Sequence, residues 1–383
     1  MRSLALTGDK DDLGSVLTQV REFDPSVLFW FVAPALLNDP EFVSIFVDAT
    51  KSLPVIGCST SGEISRSGMI QNSFSLLALA FDDTTVRMVH TPMPSVQDCY
   101  TAGTAIADAL QGPKLRAVLL FAPGVQVNGS DLIDGLRSLL GRSVFISGAL
   151  AADEFQFKKT VTFLSGDLYE RDVVGIGFYG DSICCSNGSE GGWRPFGPAR
   201  RVTKAVGNVL VELDGKPALQ LYKHYLGEKA RDLPASGLSY PFAVLRQDRT
   251  TSGIIRSALD VDQQNETIIL AATIEQGCQV CLMHADNYAL SQGAAQAAAE
   301  ALRTHSGPEE NGAALLVSCV GRRALLGIDI DDEIEAVADS LLPDIPMAGF
   351  YANGEICSME GNERTVLHNQ TMTVTYFSEL KGE

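Results

Sequence analysis

The chain is short of positive charge: 29 Lys and Arg stand against 47 Asp and Glu, for a formal charge of -18. Nucleic-acid affinity rests on clustered cations, so this balance excludes DNA and RNA as expected partners and argues equally against anionic membranes. Long hydrophobic runs are also lacking. The longest, residues 27–37, carries a proline and falls short of the roughly 20 apolar residues a membrane helix needs, so it predicts a buried strand. Residues 1–12 have no apolar stretch of the kind a secretion signal requires, and a cytoplasmic location is expected. The eight cysteines show no framework spacing and are expected as free thiols. Cys278, Cys281 and His284 have a ligand-like spacing, but the segment reads as a strand, which would send the two cysteines to opposite faces.

What is present is an ordinary globular composition, 45% hydrophobic and 20% charged over 383 residues, enough for two domains that each bury a core. An eleven-residue pattern occurs twice: Pro54-Val-Ile-Gly-Cys-Ser-Thr-Ser-Gly-Glu-Ile64 and Pro346-Met-Ala-Gly-Phe-Tyr-Ala-Asn-Gly-Glu-Ile356. Each copy follows an apolar strand and a helical stretch, and precedes another strand, which suggests duplication about a pseudo-twofold axis. A weaker echo lies between them, with a strand at 117–122, a helix at 131–140 capped by Ser130, and a strand at 144–148. Hairpin-like runs at 161–179 and 253–282 add antiparallel strands. The expected fold class is therefore α/β, with mixed α+β sheets under helical cover and two related domains packed pseudo-symmetrically. The turn-rich segments 187–198 and 212–217 read as loops. The boundary is expected at the second, giving domains 1–214 and 215–383, with a helix after Pro217 opening the second.

The repeated loop has phosphate-loop glycine spacing, Gly57 to Gly62, yet Glu63 stands where that chemistry needs lysine, and Glu355 repeats the departure. Ser59 is not framed as a nucleophile elbow, and Cys58 and Cys319 have no activating neighbour in the sequence, so no enzyme is expected. The glycines instead permit close backbone approach, to a ligand in an interdomain cleft or to a neighbouring element, and the glutamates either cap amides or meet a cation. Five histidines are present. His90 and His305 read as exposed and His224 as a boundary position. Alternation places His368 on one face with Gln370, Met372, Val374 and Tyr376. Arg256 and Arg322 interrupt or end apolar strands, so each needs an anion, from Glu63, Glu355 or a ligand.

Val55 to Ile64, Ser147-Gly-Ala-Leu-Ala-Ala-Asp153, Gly215-Lys-Pro-Ala-Leu219, Tyr240-Pro-Phe242, Ile255-Arg-Ser257, Ser318-Cys-Val-Gly-Arg322, Gly349 to Ile356 and Leu367-His-Asn-Gln-Thr-Met372 together resemble the FIST family of sensory proteins, over nearly the whole chain. The resemblance implies a FIST-N plus FIST-C module that senses a small ligand and signals to a partner protein. Its stand-alone bacterial branch resembles nitric-oxide-sensing haem proteins that act on a sensor histidine kinase or a cyclic-di-GMP enzyme, in two-component regulation. On that reading haem b is the cofactor, with His368 as first choice for the iron and His224 or His284 behind it. The ligand-facing set would be Gly57, Cys58, Ser59, Thr60, Gly62, Glu63, Arg256, Cys319, Arg322, Tyr351, Gly354, Glu355 and Asn369. The alternatives are amino-acid sensing, with a glutamate on the ammonium and an arginine on the carboxylate, or an interaction scaffold.

Overall fold

The computed structural model describes residues 1–359 and 364–380. Three segments follow one plan: edge strand, helix, strand, helix, strand parallel to the last, hairpin, final strand. In the first these are Arg2–Gly8, Leu13–Phe23, Val27–Val32, Pro40–Thr50, Val55–Ser59, the hairpin Glu63–Ser65 with Gly68–Ile70, and Phe74–Ala80. The second runs from Thr85–Pro92 to Asp172–Tyr179 and the third from Ile183–Glu190 to Met372–Glu379. The central strands of each pair in parallel, as β-α-β units require, and the final strand closes antiparallel against the first of them.

Each hairpin leaves its own sheet for the next one. Glu63–Ser65 pairs with Met347–Ala352 of the third unit, Thr162–Leu164 with Val55–Ser59 of the first, and Gly354–Met359 with Phe145–Leu150 of the second. The mixed sheets with helical cover expected from the sequence are present. Their pseudo-symmetry includes the middle echo as a full member, so the three units are arranged cyclically where the sequence suggested a twofold. The sheets face one shared core in which Phe29, Phe31, Phe121, Phe350 and Phe377 are fully buried, drawn from all three units. Burying each ring contributes roughly 2 kcal/mol.

Helices cover the outer faces. The middle helix, Gly129–Leu139, is capped by Asn128, whose Oδ1 accepts from the amides of Ser130 and Asp131, where the sequence pointed to Ser130. Residues 187–190, expected as loop, continue the strand Ile183–Glu190 by pairing with residues 372–375 of the final strand, and the helix Asn287–Arg303 packs so close to Gly188 that any side chain there would overlap the carbonyl of Ala297.

Between the first strand and first helix of the third unit an additional sheet is inserted, nine strands from Arg194–Pro195 to Gln279–His284, packed on the helix Ala218–Leu226. The expected boundary at 214/215 falls inside this sheet, between strands Val209–Leu213 and Lys216–Pro217, which pair with each other. No helix among the described residues is long and apolar enough to cross a membrane.

Candidate functional site

The repeated glycines sit where parallel strands approach. A methyl group on Gly57 would overlap the carbonyl of Trp30, one on Gly148 that of Leu120, and one on Gly349 that of Leu316. They face backbone within their own units and not a cleft, so Gly57 has no contact to offer a ligand. Cys58 is buried in the shared core, and desolvation pushes its thiol well above the ordinary range. Ser59 accepts from the amide of Val161 at 2.9 Å and donates to the carbonyl of Ala152 at 2.7 Å, tying the first unit to the second. Gly62 has φ 103° in the turn that starts the exchanged hairpin.

Glu63 and Glu355 are fully buried and equivalent. Glu63 accepts from Thr60 Oγ1, and from the amide and Oγ of Ser73 at 3.3 and 2.6 Å. Glu355 accepts from the amide and Oγ1 of Thr371 at 3.2 and 2.9 Å. Ser73 and Thr371 each follow a residue with positive φ, Asn72 (52°) and Gln370 (60°), and each precedes a final strand. Both glutamates thus fasten a tight turn. Desolvation raises Glu63 to about 7 and Glu355 to about 8, against the lowering effect of those hydrogen bonds. The corresponding residue in the second unit is Thr162, whose hydroxyl donates to the carbonyl of Asp172 at 2.8 Å.

Arg322 does not meet either glutamate. It pairs with Glu333 at 2.7 Å, both side chains fully buried, and also donates to the carbonyls of Gly191 and Leu290. Ser318 and Tyr351 complete the set by donating to Glu333 Oε1 at 2.9 and 2.8 Å. Nothing in the sequence pattern marked Glu333, which lies in the acidic first turn of the helix Ile330–Ser340. Every oxygen of this carboxylate is occupied within the fold, so Arg322 and Tyr351 are structural.

A cavity of about 580 Å³ opens between the inserted sheet and the loops of the second and third units. Its walls are mainly apolar, including Leu150, Leu238, Leu270 and Leu367. Four polar side chains on the wall each bury an atom without a hydrogen-bond partner among the described residues: Ser257 Oγ, Asn353 Oδ1, Asn369 Oδ1 and Gln370 Oε1. The amide nitrogens of Asn353 and Gln370 donate to the carbonyls of Gly124 and Leu238, both at 3.1 Å, which leaves their oxygens as the free acceptors. Cys319 also lines the cavity, and its thiol lies beside Glu355, whose Oε1 has no well-aligned partner. Burial pushes that thiol far up, so it is not a thiolate nucleophile. Gly354 packs beside Leu150 and Leu367 at the cavity wall. Arg256 lies behind the wall, 7% exposed, donating to the carbonyls of Thr273 (2.8 Å), Ile255 (3.0 Å) and Leu367 (3.1 Å), and burial lowers it to about 10. No carboxylate pairs with it among the described residues.

Residues 26–216 match the FIST N domain and residues 218–358 the FIST C domain. The chain belongs to the FIST family. FIST domains form sensory signalling modules, and this chain carries both. Among its relatives, an uncharacterised Mycobacterium tuberculosis protein is 30% identical over 256 residues, 64% of each chain. An uncharacterised Methanocaldococcus jannaschii protein is 30% identical over 206 residues, 51% of this chain and 40% of that one. The chain thus spans less than two thirds of the length of these relatives. Two solved structures align along nearly the whole FIST chain at 9% identity: a cyanuric acid hydrolase from A. caulinodans (99% of both chains, TM-score 0.37) and a chorismatase (97% and 98%, TM-score 0.36).

The histidines do not fit a histidine-ligated haem. None lines the cavity. His224 is exposed on the helix Ala218–Leu226 that packs on the inserted sheet, and His284 is exposed on that sheet, stacked on Tyr240. His368 ends the strand Arg364–His368, and the chain then turns through Gln370 into a different sheet, so the face it was expected to share with Met372 does not exist. Leu367 and Asn369 line the cavity, whereas His368 between them faces the backbone of Gly253 and Cys357 without a well-aligned hydrogen bond. Burial and the nearby Arg256 lower it to about 4. His305, expected exposed, is half-buried between Ser186 and Ser378, with ring nitrogens 2.9 and 2.6 Å from their hydroxyls. Among the described residues no group of His, Cys, Asp and Glu is arranged to hold a metal ion.

Proposed function

We propose that this FIST protein is a sensory module that binds a small organic ligand in the cavity between the inserted sheet and the loops of the second and third units, and acts by binding rather than by turnover. The observation that carries this is the set of four side chains on a mainly apolar wall that each bury an unpartnered polar atom. Leaving such atoms unpaired costs about 1–3 kcal/mol each, which a hydrogen-bonding ligand would recover once these side chains turn their buried oxygens to it. Because the free atoms of Asn353 and Gln370 are acceptors, the ligand presents donors: an amino acid, an amine or an amide. For an amino acid, Arg256 behind the wall is the charge left to meet the carboxylate, since Glu63 and Arg322 are committed elsewhere and Glu355, raised to about 8, holds a proton at neutral pH. The donor set gives no support to haem b or to nitric oxide as its gaseous ligand. Output would pass to a signalling enzyme such as a sensor histidine kinase or a cyclic-di-GMP enzyme, by a ligand-dependent difference in affinity for that partner.

Thermal-shift and calorimetric screening of amino acids, amines and amides tests the reading. A binder should raise the melting temperature of the wild type and lose its effect in Leu238→Trp, which fills the cavity. Unchanged affinity in a folded Leu238→Trp variant, or no binder in any of the three classes, sinks it.

A further inference from the structure

The cavity is lined by two chemically different sets of side chains. Its mouth carries four exposed apolar side chains: Val96 (40% exposed), Phe155 (38%), Phe157 (54%) and Leu259 (47%). Apolar residues scattered singly on a surface need no explanation, whereas four gathered around one opening do. Phe155 and Phe157 belong to a loop, residues 154–161, that separates the second unit's parallel strand from its hairpin. In the first unit the hairpin begins directly at Glu63, so the loop is an addition to the common plan.

This loop is held in an unfavourable backbone. Glu154, Phe155 and Phe157 have φ of 55°, 61° and 50°, the left-handed region that non-glycine residues rarely occupy. The anchors are specific. Asp153 accepts from the amides of Phe157, Lys158 and Lys159 at 2.8, 2.7 and 2.9 Å. Glu154 pairs with Arg323 at 2.8 Å, and the Arg323 guanidinium lies 5.3 Å from the centre of the Phe155 ring. The outcome of that strain is two phenyl rings carried to the opening, in line with a wall whose free polar atoms are acceptors.

We propose, resting on the binding role assigned to this cavity, that its ligand is amphipathic: an N–H-bearing head group, ammonium or primary amide, held by Asn353, Asn369 and Gln370, and a hydrocarbon tail that leaves between Phe155, Phe157, Val96 and Leu259. A carboxylate head is disfavoured because Asn353 and Gln370, whose amide nitrogens are committed to the carbonyls of Gly124 and Leu238, can offer it only oxygens. The phenyl rings take part of the tail out of water, and each methylene that reaches them adds to affinity.

Calorimetry with n-alkylamines and n-alkanamides of three to ten carbons, and n-alkanoates as the head-group control, reads this out on the full chain. Affinity should rise about fourfold per added methylene while the tail stays in contact with protein. Alkanoates of equal length should bind at least tenfold more weakly. Comparing the amine and amide arms identifies which head the site takes. Phe155→Ser with Phe157→Ser, and separately Leu259→Ser on the facing strand, should flatten the dependence for long chains and leave the shortest binder unchanged. Binding without any rise with chain length overturns the amphipathic assignment while the binding role stands. Equal binding of alkanoates overturns the head-group assignment, and no binding by any series overturns this inference, while the binding role then stands or falls on the amino-acid arm of the screen above.

Discussion

The Ser61 amide donates to the Tyr351 carbonyl at 2.9 Å, joining the first unit to the third. Its two counterparts are Ala152 to Ser59 at 2.9 Å and Asn353 to Leu150 at 3.1 Å. Three equivalent bonds thus close a ring at the end of the strands, and Asn353, which holds one of the cavity's free oxygens, is a member of it. The cavity wall is anchored on backbone that ties all three units together.

Gly57→Ala and Gly349→Ala should each destabilise the protein by about 3 kcal/mol, because the added methyl meets the carbonyl of Trp30 or Leu316 and neither strand can retreat. Urea denaturation measures this. A loss under about 1 kcal/mol at both positions would show that the parallel strands are less closely apposed.

Removing one partner of the buried Arg322–Glu333 pair should cost about 3–5 kcal/mol. Arg322→Met leaves a carboxylate unpaired and should be worse than Arg322→Met combined with Glu333→Leu. Chemical denaturation of the two variants decides the order.

Burial raises Glu63 to about 7 and Glu355 to about 8. In the unfolded chain both titrate near 4.5, so the folded form holds protons over that interval and stability falls as pH rises from about 4.5 to about 8. His305 and His368, lowered to about 4, act oppositely, and their contribution is lost as pH falls from about 6.5 to about 4. The glutamates therefore stand out between about 6.5 and 8. Glu355→Gln should flatten the melting temperature across that window, and an unaltered slope would assign the effect elsewhere.

Asn369→Leu should keep or raise the melting temperature of the ligand-free protein, since it replaces a buried, unpartnered oxygen. The same change should abolish the ligand-induced shift. A large loss of stability would give Asn369 a structural role instead.

Titration with haem should give no stoichiometric Soret band that depends on His368. Comparing wild type with His368→Ala by absorption is sufficient, and a band lost only in the variant would restore an axial role to that histidine.

The strand and helix pattern was legible because apolar periodicity reports which face is buried, and Gly57, Gly349, Glu63 and Glu355 repeat in plain sequence. The middle member was faint for a physical reason. Its hairpin carries Thr162 where the others carry a glutamate, and the intervening loop 154–161 displaces it along the chain. The roles of Arg256 and Arg322 were half legible: a buried guanidinium demands acceptors, but Glu333 and the carbonyls of Thr273 and Leu367 come from distant segments that no local pattern ties to them. His368 misled because alternation was read across Gln370, whose left-handed backbone ends one strand and begins another. Among the cavity's free acceptors, Asn369 belongs to the ligand-facing set that the family resemblance implies. Ser257, Asn353 and Gln370 became visible only once the inserted sheet was placed against the loops.

The exchange of hairpins also sets an order of assembly. Glu63–Ser65 finds its partner strand at Met347–Ala352, more than 280 residues later, and the sheet of the second unit waits for Gly354–Met359. Long-range pairing of this kind delays folding until the segments involved have all been made. During synthesis the early units would emerge with unpaired strand edges, and a chain truncated before Met347 would leave the first hairpin with nothing to join.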